Sequence, residues 1–167
     1  MDDSGLIAAR NQYARLAVAS LPKMNISLTE YRSRIRTLDD DCRAFHLRCI
    51  FMTQPSLWRE DLDSEARTLL CCSVLGHRTS PSGWASHVSA PYGKPSIKDS
   101  EAMMSAYNDV LLETCTERKI ECIDLAAAIP KTTEMFYDDF HFTEIGSMRV
   151  ASTVADYLSR APLSEGK

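Results

Sequence analysis

Arg48-Cys49-Ile50-Phe51-Met52-Thr53-Gln54-Pro55 is the stretch whose reading decides the fold class. Its centre is an unbroken apolar run, closed by Gln54-Pro55, and proline cannot donate to a sheet ladder. A run that is apolar on both faces fits a strand covered on both sides, as in a parallel sheet. Just upstream, Tyr31, Ile35, Leu38, Cys42 and Phe45 recur at steps of three and four, one stripe of a helix over 27–45. Ser27-Leu28-Thr29-Glu30 reads as its capping box. Downstream, Met103, Tyr107, Val110, Leu111 and Cys115 share one face of a second helix over 99–118. Ile120-Glu121-Cys122-Ile123-Asp124-Leu125 then reads as a second buried strand. Strand, helix and strand with so long a connection predict a parallel crossover. Segments 48–53 and 120–125 are therefore expected side by side and parallel, with both helices packed on them.

Further out the pattern weakens. A loose helical period over 5–21 stops near Pro22. Residues 56–98 are broken by Gly and Pro into a long excursion with a short helix over 65–70, and connections of this length commonly carry function. A last helix is expected over 143–158, with Met148, Ala151, Val154, Ala155 and Leu158 facing inward, followed by a frayed tail over 159–167. The class is α/β. Two strands among three helices bury too little alone, so the expected architecture is part of a doubly wound (flavodoxin-like) parallel sheet with flanking helices, its N-terminal strands missing. The strand at 48–53 would then present an open edge and promote self-association.

The 167 residues suit one domain, with 44% hydrophobic and 25% charged side chains. A net charge of −4, a pI near 5.6 and scattered Lys and Arg argue against a nucleic-acid or anionic-membrane surface. The apolar runs are far shorter than the roughly 18 residues of a membrane span. Met1-Asp2-Asp3-Ser4-Gly5 is acidic and has none of the marks of a signal peptide. Six cysteines occur without CxxC or zinc spacing. They read as small buried hydrophobes, compatible with a reducing compartment.

Phe136-Tyr137-Asp138-Asp139-Phe140-His141-Phe142-Thr143-Glu144-Ile145-Gly146 carries the chemistry. Two carboxylates and a histidine precede a helix that Thr143 can cap. A carboxylate three residues before a histidine can turn back to accept from the imidazole Nδ1–H, fixing the tautomer and stabilising the imidazolium. Gly146 would admit a close backbone approach at the helix start. The same spacing also suits a capped, solvated loop. A metal site is disfavoured because no second His or Cys lies at a usable spacing, and no cofactor is expected.

Asp138-x-x-His141 followed by Thr143 and Gly146 resembles the last block of the SGNH/GDSL serine esterases. Ile50-Phe51-Met52-Thr53-Gln54-Pro55 resembles a late strand of that family with its Thr-Gln-Pro turn. Tyr107-Asn108 and Ile123-Asp124-Leu125 resemble the segments before the closing block, so the likeness spans 27–158 in order. It implies ester hydrolysis of a small molecule, with Asp138 the orienting acid and His141 the general base. Asp139 falls outside the D-x-x-H positions and reads as a loop carboxylate; Gln54 reads as part of a structural turn. The family's Gly-Asp-Ser-Leu nucleophile block and Gly-x-Asn-Asp oxyanion block are absent. Asp3-Ser4-Gly5-Leu6 only echoes the first, and Ser4 reads as an N-cap. The resemblance thus implies one partial domain over 1–167 that is inactive alone, or a non-catalytic remnant serving as a binding or interaction module.

Overall fold

The structure is a computed structural model that describes residues 3–21, 23–71, 75–78 and 88–160. Its elements are α1 (Asp3–Ala14), α2 (Asn25–Ala44), β1 (Ile50–Met52), α3 (Ser64–Thr68), β2 (Leu75–Arg78), β3 (Val88–Gly93), α4 (Ile97–Arg118), β4 (Glu121–Ile123), α5 (Leu125–Ala128) and α6 (Glu144–Arg160). β1 and β4 pair in parallel, with Ile50 opposite Glu121 and Met52 opposite Ile123. Ile35 of α2 and Val110, Leu111 and Cys115 of α4 form one core, to which Phe51 and Cys122 of the strands add. Outside it, Arg32 pairs with Glu113 and Arg36 with Glu117, while Asp39 takes bonds from both Arg43 and Arg118.

The doubly wound, flavodoxin-like sheet is not there. Among the described residues the parallel sheet has two strands, and β2 and β3 form a separate antiparallel pair that does not join it. Helices dominate the rest. The chain that would have to supply further strands instead runs irregularly through 53–63 and 129–143. There, turns and side-chain bonds satisfy the backbone, so no ladder is needed. Thr53 accepts from the Ala126 amide and donates to Asp124, each at 2.8 Å, and Asn108 bonds both the amide and the carbonyl of Gln54. The Thr-Gln-Pro turn is thereby tied to α4 and to the end of β4.

Three local expectations also change. Ser27 lies inside α2, which starts at Asn25, and its hydroxyl donates to the Met24 carbonyl, so no capping box forms. Ser4 lies inside α1 rather than ahead of it. Cys42 and Cys49 form a disulfide. His46, with φ of 54°, reverses the chain between the end of α2 and the start of β1 and brings the two Cα atoms to 6.2 Å. The pairing withdraws the cysteine argument for a reducing compartment.

α6 is rotated from the expected orientation. Met148 is 59% exposed, and Ala151, Ala155 and Leu158 are exposed too. Of the expected face only Val154 is half-buried; Gly146, Val150 and Tyr157 face the protein with it, so the buried face lies about one residue step, or roughly 100°, round the helix. Gly146 sets the rotation: a Cβ there would sit 2.1 Å from the Met135 carbonyl oxygen. No described helix is long and apolar enough to cross a membrane.

Candidate functional site

The loop between Met135 and Thr143 is a closed turn. Phe136 and Phe142 form an isolated antiparallel bridge, the Tyr137 amide donates to the His141 carbonyl at 3.1 Å, and the Thr143 amide to Met135 at 3.0 Å. Thr143 caps α6 as expected, its hydroxyl oxygen accepting from the Gly146 amide at 3.0 Å. The hydroxyl itself donates to the Glu134 carbonyl. The turn is anchored at both ends before any chemistry is considered.

Asp138 and His141 meet inside it. Asp138 Oδ2 lies 2.7 Å from His141 Nδ1, and Asp138 Oδ1 accepts from the amides of Phe140 and His141 at 3.0 and 2.8 Å. The Asp138 side chain is 3% exposed, whereas the imidazole side chain is 52% exposed. The His141 ring stacks on Tyr137 at 5.7 Å between centroids and meets Phe140 at a tilt at 4.7 Å. Nε2 has no protein partner among the described residues. Such a ring has its tautomer set from one side and its second nitrogen presented to the outside.

Asp139 is more than a loop carboxylate. It is fully buried, with Oδ1 accepting from Trp58 Nε1 at 2.9 Å and Oδ2 from the Cys71 amide at 2.7 Å. Its carbonyl accepts from the Leu57 amide at 2.8 Å. The two adjacent acids thus divide the work: Asp139 pins the loop to 57–71, and Asp138 orients the histidine. Buried carboxylates are tolerated only when their lone pairs are satisfied in this way. The sequence held no sign of it, since Trp58 and Asp139 are 81 positions apart.

The described free cysteines are poorly placed as nucleophiles. Cys71 Sγ approaches Asp138 Oδ2 at 4.0 Å, on the carboxylate rather than the Nε2 side. Burial pushes the Cys115 thiol up to about 12 and also raises Cys122, so neither supplies thiolate near neutrality. No group of three or more His, Cys, Asp or Glu among the described residues could hold a metal ion.

Comparisons with protein-family models, with characterised proteins and with solved structures found no match to this chain.

Proposed function

We propose that Asp138 and His141 are the acid and base of a Ser-His-Asp triad of the SGNH/GDSL esterase kind, in a chain that does not complete the triad by itself. The observation that carries this reading is the 2.7 Å bond from His141 Nδ1 to a buried carboxylate, with Nε2 left open on a half-exposed ring. In such a triad Nε2 takes the proton of a serine hydroxyl as it attacks an ester carbonyl, and Asp138 stabilises the imidazolium. The sequence has no Gly-Asp-Ser-Leu or Gly-x-Asn-Asp block to supply nucleophile and oxyanion donors. Those missing blocks also favour the second reading, a binding module that keeps the dyad without turnover.

Nitrogen NMR on the chain as it stands tests the base assignment. His141 is expected as the Nδ1–H tautomer, and Asp138→Asn should disturb that preference. A His141 protonated at Nε2 in the wild type would sink the triad reading. In parallel, the chain should hydrolyse a p-nitrophenyl ester no faster than its His141→Ala variant. His141-dependent turnover would show that the chain does hold a nucleophile.

A further inference from the structure

A cavity of about 470 Å³ lies between α1, the end of α3 and the start of α4. That is the size range of small-molecule sites. Its wall is mostly apolar, with Tyr13, Leu70 and Ile97, and three cationic side chains line it: Arg10, Arg67 and Lys94. No Asp or Glu is among its described lining residues, and among the described residues none of the three cations has a carboxylate partner. On this chain that is unusual, because net charge is −4 and most other described arginines reach an acid.

The three cations are held in place by neutral oxygens. Arg10 Nη2 donates to the Tyr137 carbonyl, Arg67 Nε to Leu62 O at 2.8 Å, and Lys94 Nζ to Tyr13 O at 3.1 Å and Ala14 O at 3.3 Å. Lys94 also sits 4.7 Å over the Tyr13 ring. Carbonyls orient these groups but leave their charge uncompensated. Arg10 Nε is buried with no hydrogen-bond partner among the described residues, a cost that persists unless something answers it. Structural roles alone, such as Lys94 closing the last carbonyls of α1, explain one cation each; they do not explain three converging on an apolar hollow without an acid.

We infer that this cavity binds a small organic carboxylate, its head held by Arg10, Arg67 and Lys94 and its apolar body lying against Tyr13, Leu70 and Ile97. An arginine fork suits a carboxylate, and an apolar wall rewards the body attached to it. The site is distinct from the Asp138–His141 pair, which does not line it, and the inference stands whether or not His141 acts as a base. Arg10 bonds the carbonyl of Tyr137, whose ring stacks on His141, but His141 itself lies outside the cavity.

Titration calorimetry of the whole chain with octanoate, octanol and inorganic phosphate tests this. Octanoate should bind about tenfold or more tighter than octanol, which lacks the charge, and than phosphate, which lacks the apolar body. Methyl NMR shifts should centre on Ile97 and Leu70. Arg10→Gln should weaken octanoate binding about tenfold, and Thr68→Glu, which puts an acid at the cavity wall, should weaken it at least as much. His141→Ala should leave binding unchanged. Octanoate binding no tighter than octanol, or shifts mapping elsewhere, overturns the inference. So does unchanged binding in a folded Thr68→Glu variant, which decides the matter if Arg10→Gln does not fold.

Discussion

In one region of the molecule Ile35, Val110, Leu111 and Cys115 pack between two long helices and the β1–β4 pair. In another, Leu57, Trp58, Leu62, Met135 and Phe136 pack between stretches that are mostly neither helix nor strand. The irregular region is the more thoroughly sealed: Leu57, Phe136 and Asp139 are all completely buried. The regular region gets its order from periodicity and from a row of ion pairs on its rim. The irregular one gets it from a few long-range bonds, chiefly those of Asp139. Burial and regularity are therefore separate properties here, and the candidate site belongs to the sealed, irregular part.

The strongest way to break that contrast is to truncate both cores. Phe136→Ala should cost about 3–5 kcal/mol and Leu111→Ala about 2–5 kcal/mol by denaturant titration. A Phe136→Ala cost below about 1 kcal/mol would show that the loop cluster is a surface covering rather than a core. Next in size is the disulfide on the regular side. Replacing Cys42 and Cys49 together by serine should destabilise by about 2 kcal/mol, because the bridge closes only a short loop in the unfolded chain. No loss of stability there would mean that α2 and β1 are held together by packing alone.

The smallest expected effect sharpens the role of the ion pairs. Burial pushes the Asp39 carboxyl up, but bonds from Arg118 and Arg43 outweigh it and hold the group below its ordinary 3.8. A depressed folded value means that the stabilisation is fully present above the unfolded value. It is lost as pH falls from there through the lowered one. Asp39→Asn should therefore reduce the acid sensitivity of stability below about pH 4 while leaving the neutral-to-pH 5 range with the same slope. Wild type and variant with identical acid limbs would remove Asp39 from the account.

Much of the regular region was legible in advance. The helices at 25–44 and 97–118 needed only the 3.6-residue period, although Leu38 and Phe45 of the first expected stripe are exposed and Asp39 is buried instead, and the short runs at 50–52 and 121–123 marked the two strands. Their parallel pairing followed from the long connection. The extended sheet expected around them was wrong, because an apolar run marks a strand but not how many neighbours it has, and β1 is not covered on both faces, since Met52 is 46% exposed. The α6 face was misjudged by one residue, since Gly146 against Met135, and not hydrophobicity, sets the helix rotation. The Cys42–Cys49 bridge was missed because it depends on the left-handed turn at His46.

At the site, the D-x-x-H spacing, the Thr143 cap and the close approach at Gly146 are local facts, and local chain stereochemistry was enough to expect them. The anchoring of the loop by Asp139 to Trp58 and Cys71 joins positions 68 to 81 residues apart. The cationic cavity likewise draws Arg10, Arg67 and Lys94 from three separate segments. By itself the sequence determined the long helices, the two paired strands and the orientation of a histidine by its neighbouring acid, because each is set by residues a few steps apart. The tertiary structure alone decided which carboxylate is buried as an anchor, which face of α6 meets water and which cations share a hollow. Those outcomes depend on where distant segments come to rest, and no short-range pattern encodes that.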